Sequence, residues 1–430
     1  MKKIDVLIYY EHVARELQSV LLLKKELEKY NLKVIVYKIR WNETLTHLRY
    51  RPKIIVTPWC YGNDEVNYIK KMWIGSFPKK NIKIVCLNWE QLSGQSGQKF
   101  VVPKDEAKKV IHFAWGNYFK NLLIEDGVAK ENVYVTGSIS NDFYKKPYSL
   151  VNLKKEELAQ KFYLDFNKKW VLLIGNFSGK NLTGDQLDTA EKKGFSSIRK
   201  LSELAKTTFN ELIKWYNEAA QKNQDLEFIY RPHPNENITN DILEVEKKNK
   251  NFHIIKEFPI REWIVNCDIS YEWFSTSAVE VSFSDKPVFS LMPYEMPKEL
   301  VIPLIDKVEK LKNKKEFLDN IKKFKNGNIK EFNLEFKKEV EFYYSNTCAS
   351  VKCAEIINNL LSNNIGFMRS NYDFIGGIIC SFRFICKIIL LKIGIMPRNT
   401  TETVLNDVKQ SKKSYEYEER IKKIYNVKKN

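Results

Sequence analysis

Short runs rich in valine, isoleucine and leucine recur along most of the chain, and between them lie longer polar stretches whose apolar residues return every three or four positions. The first six runs, IDVLIYY, LKVIVYKI, PKIIVTPW, IKIVCLNW, KVIHFAWG and NVYVTGS, predict strands, and the first gap predicts a helix through about Tyr30. Strands alternating with helices predict a parallel sheet covered on both faces. After a Lys- and Glu-rich connector near residues 150–168 the pattern restarts with KWVLLIGNF. A long helix over about 196–222 follows, then LEFIYRPHP, FHIIKEF, CDISYEW and KPVFSLM. Two consecutive open sheets of this kind predict an α/β protein with two Rossmann-like domains, 1–150 and 165–345, each taking ligands at the carboxyl ends of its strands.

The remainder, 346–430, breaks the pattern and is expected as a helical tail. Within it, 374–397 reads FIGGIICSFRFICKIILLKIGIMP, apolar but interrupted by Arg383, Lys387 and Lys392. Its longest uncharged run is about nine residues, against the roughly 20 that span a bilayer. Such a basic, bulky segment suits a helix in a membrane interface or one packed on the domains. The polar tail after Arg398 is expected to pack poorly.

Charge narrows the range of partners. With 71 Lys and Arg against 53 Asp and Glu, the formal net charge is +18, which favours anionic partners: nucleic acid, an acidic membrane face or phosphate-bearing substrates. No nucleic-acid-binding signature accompanies the scattered lysines, which read as a solvated surface, so no nucleic-acid partner is expected. The seven cysteines form no C-x-x-C pair and read as reduced thiols. The amino terminus lacks a signal-peptide pattern, and a cytoplasmic location is expected.

The sharpest chemical signal is Arg231-Pro232-His233-Pro234, directly after the strand LEFIY. Prolines on both sides end the strand and hold the imidazole at the sheet's carboxyl edge, where it and Arg231 can meet a phosphate. Further on, Ser275, Thr276 and Ser277 precede a short helix, an arrangement that serves either as an N-cap or as an anion site, with Glu280 one turn inside. Asn176 opens the second sheet's first loop, GNFSGK, which lacks the spacing of a P-loop. In the first half, Glu90, Asp64 and Glu65 follow strands and are the candidates for deprotonating a hydroxyl; Glu90 ranks first because it joins an apolar strand directly. Glu11 and His12 close the first strand. No D-x-D-type pair beside a strand suggests a metal, Asp64-Glu65 having the wrong spacing, and no cofactor is expected beyond the substrate itself.

In combination these segments resemble bacterial surface carbohydrate biosynthesis proteins: EHVARELQSVLLLKKEL at the start, HFAWGNYFKNLLIEDGVAKENVYVTGSISNDF closing the first domain with Asp142, and WVLLIGNFSGKN opening the second. RPHP and STSAVEVSFSDKPV also resemble the His-Pro and Ser/Thr motifs of GT-B transferases that use CMP-activated acids such as Kdo and sialic acid, and similar motifs occur in polymerases transferring glycerol phosphate from CDP-glycerol. The sialyltransferases' pair of acids before a glycine is absent, since Asp64-Glu65 follows Gly62. The resemblance implies a GT-B glycosyltransferase that works without metal. Residues 1–150 would take a glycan or lipid-linked acceptor through Glu11, His12 and Glu65, with Glu90 or Asp64 as base. Residues 165–345 would take a nucleotide-sugar donor through His233, Arg231, Asn176, Ser275, Thr276, Ser277 and Glu280. A CDP-glycerol phosphotransferase, a UDP-sugar transferase or 2-epimerase, and an inactive membrane-associated scaffold are the rival expectations.

Overall fold

The computed structural model describes residues 2–39, 49–62, 83–94, 101–192, 194–329, 334–362, 379, 382, 385–386, 389–390, 393–395 and 414–427. The chain divides into two compact units: residues 1–91, 100–151 and 341–430 form one, and residues 92–99 and 152–340 the other.

The first unit is built on six parallel strands: β1 (Val6–Tyr10), β2 (Val34–Lys38), β3 (Ile54–Thr57), β4 (Lys83–Cys86), β5 (Ile111–Ala114) and β6 (Val133–Val135). They lie in the order β2-β1-β3-β4-β5-β6, with Val6 opposite Val34 on one side and Ile54 on the other. Every residue of β1, β3, β4 and β5 is buried, the state a central parallel strand reaches when both faces are covered. Even Lys83 is buried, its Nζ donating to the Leu360 carbonyl at 2.5 Å. A single turn of π-helix, Val13–Leu17, leads from β1 into α1 (Gln18–Glu28).

Residues 346–430, expected as a helical tail, supply two helices to this unit. Ala349–Ser362 lies along α1 and buries Cys353, Ile357 and Leu360 in the same core as Leu22, Leu23 and Phe113. Asp142 fastens its start, accepting from the Ala349 and Ser350 amides at 2.8 and 2.7 Å and thereby satisfying two N–H groups that a helix start leaves unpaired. The polar stretch after Arg398 also contains a packed helix, Ser414–Val427, because Tyr417, Ile421 and Ile424 recur on one face and are buried. Arg420 Nε donates to the Val151 carbonyl and the Tyr425 hydroxyl to Glu26, at 3.0 and 2.6 Å.

The second unit repeats the plan with β7 (Lys169–Ile174), β8 (Leu226–Arg231), β9 (Phe252–Ile254), β10 (Ile269–Glu272), β11 (Val288–Leu291) and β12 (Lys310–Leu311), all parallel, in the order β9-β8-β7-β10-β11-β12. Strand β12, two residues long, carries too little apolar sequence to have been expected. The long α2 (Ile198–Lys222), α3 (Asn240–Lys248) and short α4 (Ser277–Ser282) cover this sheet. Leu212, Trp215, Tyr216 and Ala219 of α2 are buried against Phe228 and Tyr230, each large side chain contributing roughly 1.5–3 kcal/mol by leaving water.

Candidate functional site

In each sheet the strand order reverses direction beside the first strand of the unit, and the crevice outside such a reversal is where open α/β sheets bind ligands. In the second unit the reversal falls between β7 and β10, and three loops crowd its carboxyl edge: 175–182 after β7, 232–239 after β8 and 273–276 after β10.

The chain binds these three loops to one another. Glu236, completely buried, accepts from the Phe177 amide at 3.3 Å and the His233 amide at 3.2 Å through Oε2, and from the Tyr230 hydroxyl at 2.6 Å through Oε1. Lys180 Nζ sits 2.9 Å from the same Oε1 and 3.3 Å from the Phe209 ring centroid, so the buried carboxylate is neutralised in place. Burial pulls the Lys180 ammonium below its ordinary range, and Glu236 opposes this. A side chain at Gly175 would not fit: a Cβ there would stand 2.5 Å from the Tyr230 hydroxyl and 2.9 Å from Glu236. The other join is made by Asn176, whose Nδ2 donates to the Phe274 carbonyl at 2.9 Å, and by Phe177 stacked on Trp273 with ring centroids 4.5 Å apart.

His233 is half-buried at the rim of this assembly. Its Nδ1 accepts from the Asn235 amide at 3.2 Å, which places the hydrogen of the neutral ring on Nε2. Arg231 does not share that position. The last residue of β8, it is buried; its guanidinium donates to the Phe258 carbonyl at 2.7 Å and to that of Ile255, so its charge is spent on backbone oxygens. The Ser275–Ser277 turn also uses its own amides: Ser275 N–H donates to Glu272, and Ser277 N–H to the Ser275 hydroxyl at 3.3 Å. What this turn presents outward is therefore side-chain hydroxyl, with Thr276 exposed and Ser277 half-buried, rather than a row of helix-start amides. Glu280 is half-buried in α4. Glu272 closes β10, and burial pushes its carboxyl up to about 7 against the Ser275 amide and Ser290 hydroxyl, which favour the charged form.

The first unit reverses between β1 and β3, and the residues that follow those strands meet. Glu11 Oε2 accepts from the Trp59 indole at 2.7 Å, with His12 Nε2 at 3.8 Å from the same oxygen. The π-turn brings Arg15 and Glu16 to this end of the sheet, in keeping with the frequent presence of π-turns at functional sites. Arg15 bridges the buried Glu16, at 2.9 Å, and Glu90, at 3.0 Å. Burial works against the Arg15 charge, but the two carboxylates outweigh it and hold the guanidinium above its ordinary range. Glu90, the favoured base, is 57% exposed along its side chain and thus open to a hydroxyl substrate. Asp64 and Glu65 lie outside the described residues.

Glu236, Lys180, Arg15 and Trp59 were not singled out as site residues from the sequence. A charged residue two positions beyond RPHP reads as solvated, and Arg15-Glu16 lies past the first strand, in the π-turn that leads into α1. Among the described residues no group of three or more His, Cys, Asp or Glu side chains is placed to hold a metal ion. A depression of about 550 Å³ on the helical flank, lined by Lys214, Glu218, Asp241 and Glu244 among others, contains none of the candidate residues.

Two Rossmann-like units in one chain define the GT-B fold class, and solved structures of that class are what the chain resembles. The UDP-GlcNAc 2-epimerase from Neisseria meningitidis, bound to UDP-GlcNAc, aligns with a TM-score of 0.51 and 14% identity over 84% of this chain and 100% of its own. The wall teichoic acid polymerase TagF aligns with a TM-score of 0.52 and 10% identity over 84% of this chain and 90% of its own. At such identities the likeness is one of fold. No protein-family model matches the sequence, and no curated protein does.

Proposed function

We propose that the protein is a nucleotide-sugar-dependent glycosyltransferase of bacterial surface polysaccharide assembly, capsule or lipopolysaccharide, with its donor on the second unit and a glycan or lipid-linked acceptor on the first. The observation that carries the reading is the joining of three strand-end loops at the β7/β10 reversal, with His233 held at their rim by the buried Glu236. A ring with its hydrogen on Nε2 can donate to a phosphate oxygen and, when protonated, neutralise charge on a departing nucleotide. Thr276 and Ser277 add hydroxyl donors, Asn176 belongs to the same nucleotide-binding group, and Glu280 accepts from the ribose hydroxyls. Arg231 acts here as a positioning residue, tying the end of β8 to the chain after β9. Glu90 activates the acceptor hydroxyl, with Arg15 holding the carboxylate in place and Glu11 and His12 beside it. A CMP-activated acidic sugar is the favoured donor, on the likeness of RPHP and the Ser/Thr turn to motifs of that group.

The test is a thermal-shift panel of CMP, CDP, UDP, GDP and ADP against wild type and His233→Ala. The expected result is a rise in Tm with CMP, lost in the variant; a ligand at 100 times its Kd adds about 2.7 kcal/mol. Preference for CDP would redirect the reading to glycerol phosphate transfer, and preference for UDP to a UDP-sugar transferase or 2-epimerase. No response to any nucleotide would overturn it.

A further inference from the structure

Most of the basic apolar segment 374–397, its three charged residues included, lies outside the described residues. What the described part of the first unit offers a substrate is the carboxyl edge of its sheet, where aromatic rings stand beside the carboxylates. Trp59 and Tyr61 follow β3, both half-buried, with their rings within 16° of parallel and the centroids 6.5 Å apart. Trp59 packs against the core cluster that contains Ile55 and Ile84, and its indole N–H donates to Glu11 at 2.7 Å. The ring is thus fixed before any ligand arrives, which removes an ordering cost from binding. Tyr61 belongs to the same group: burial, and then the charges on Glu90 and Glu11, push its hydroxyl well above the ordinary range, so it keeps its proton and can donate.

A fixed ring beside charged oxygens suits a sugar. The C–H face of a pyranose packs on an aromatic ring, while the hydroxyls at its rim donate to carboxylates. Charge then narrows the kind of sugar. Glu11, Glu16 and Glu90 meet one arginine here, and Arg15 is divided between Glu16 at 2.9 Å and Glu90 at 3.0 Å. His12 faces Glu11, 3.8 Å from its carboxylate. Within a chain of net charge +18, this group is therefore acid-rich, with its cations already matched. A carboxylate or phosphate on the substrate would meet Glu11 and Glu90 as like charges, which is costly at a binding surface.

With the first unit read as the acceptor side, on which this inference rests, we propose that it binds an uncharged sugar ring of the acceptor against Trp59 and rejects uronic acids and phosphorylated sugars. Glu11 and Glu90 accept from the ring hydroxyls, and Tyr61 donates to a ring oxygen. The platform residue and the charge class of the acceptor are what this adds to the assignment of Glu90 as base. Sugar binding here requires no nucleotide on the second unit, so the two readings fail separately.

The experiment is binding of the fluorescently labelled full chain to an array of immobilised oligosaccharides ending in neutral hexoses, N-acetylhexosamines, hexuronic acids or phosphorylated hexoses, alongside the thermal response to CMP. Wild type is expected to be retained on neutral ends about fivefold over acidic ones. Trp59→Ala should lower that retention roughly tenfold. Trp59→Phe, which keeps a ring, should retain more than Trp59→Ala, and Glu11→Gln should narrow the ratio of neutral to acidic ends. Equal retention of wild type and Trp59→Ala, preference of wild type for acidic ends, or no retention on any glycan would overturn the proposal. Should Trp59→Ala fail to fold, wild-type behaviour of both Trp59→Phe and Glu11→Gln would overturn it as well. Retention on neutral ends without a response to any nucleotide would uphold this site and sink the donor reading alone, and a CMP response without retention would do the reverse.

Discussion

At the scale of single residues, two buried carboxylates govern the second unit's strand ends, and they respond to perturbation differently. Glu236 is paired with Lys180, so Glu236→Gln leaves a buried ammonium without its counter-charge. Losing one member of such a pair costs roughly 3 kcal/mol. In urea unfolding, Glu236→Gln is expected to lose about that much, while adding Lys180→Met should recover part of it; strict additivity of the two would show that the pair is not coupled. Among the described residues Glu272 has no cation beside it. Its carboxyl rises from 4.5 to about 7 in the fold, so between these values the native protein keeps a proton that the unfolded chain releases. This contribution therefore weakens stability as pH rises through that window, by roughly 3 kcal/mol once it is complete. The Tm advantage of Glu272→Gln over wild type is expected to grow from pH 5 to pH 8, and a constant difference would show that the residue does not titrate there. Neither role was legible in the sequence. A glutamate in a polar loop is indistinguishable from a solvated one until Tyr230, Lys180 and the strand-end amides are brought around it. His233 was visible because flanking prolines allow few backbone paths. Arg231 shared its motif, but it is buried, its guanidinium donating to the Ile255 and Phe258 carbonyls, partners that only the folded chain brings to it.

At the scale of elements, the strands were legible because parallel pairing requires nearly continuous apolar runs, and each of the eleven that the sequence displayed forms a strand. The helix at Ser414–Val427 was concealed by its composition: Tyr417, Ile421 and Ile424 keep helical spacing but stand among lysines and glutamates. Its burial predicts that Ile421→Ala lowers stability by roughly 2–4 kcal/mol in denaturant unfolding. A loss below 0.5 kcal/mol would mean that the helix is not part of the core. Asp142 shows how distant parts of the sequence meet. Its place a few residues after Val135-Thr136-Gly137 gives no hint that its partners are the amides of Ala349 and Ser350. Asp142→Ala removes that cap, at an expected cost of about 1 kcal/mol.

At the scale of the whole molecule, the GT-B class emerges from repetition: the same alternation of strand and helix, twice, with a reversal of strand order in each sheet. The proposed division of labour between the units predicts where a bound nucleotide acts. Hydrogen exchange with saturating CMP should slow at 175–182, 232–239 and 273–276 of the second unit. Protection confined to the first unit would reverse the assignment of donor and acceptor.

The two ends of the chain cooperate in the first unit, while the second unit is drawn almost wholly from one continuous stretch, 152–340. During synthesis this imposes an order. The second sheet has all its strands by residue 311, whereas the first, though its strands emerge earlier, lacks part of its core until Ala349–Ser362 and Ser414–Val427 have left the ribosome. The half that is begun first is therefore finished last, and a nascent chain stalled within the final helices would carry a completed second unit beside a first unit with α1 still exposed.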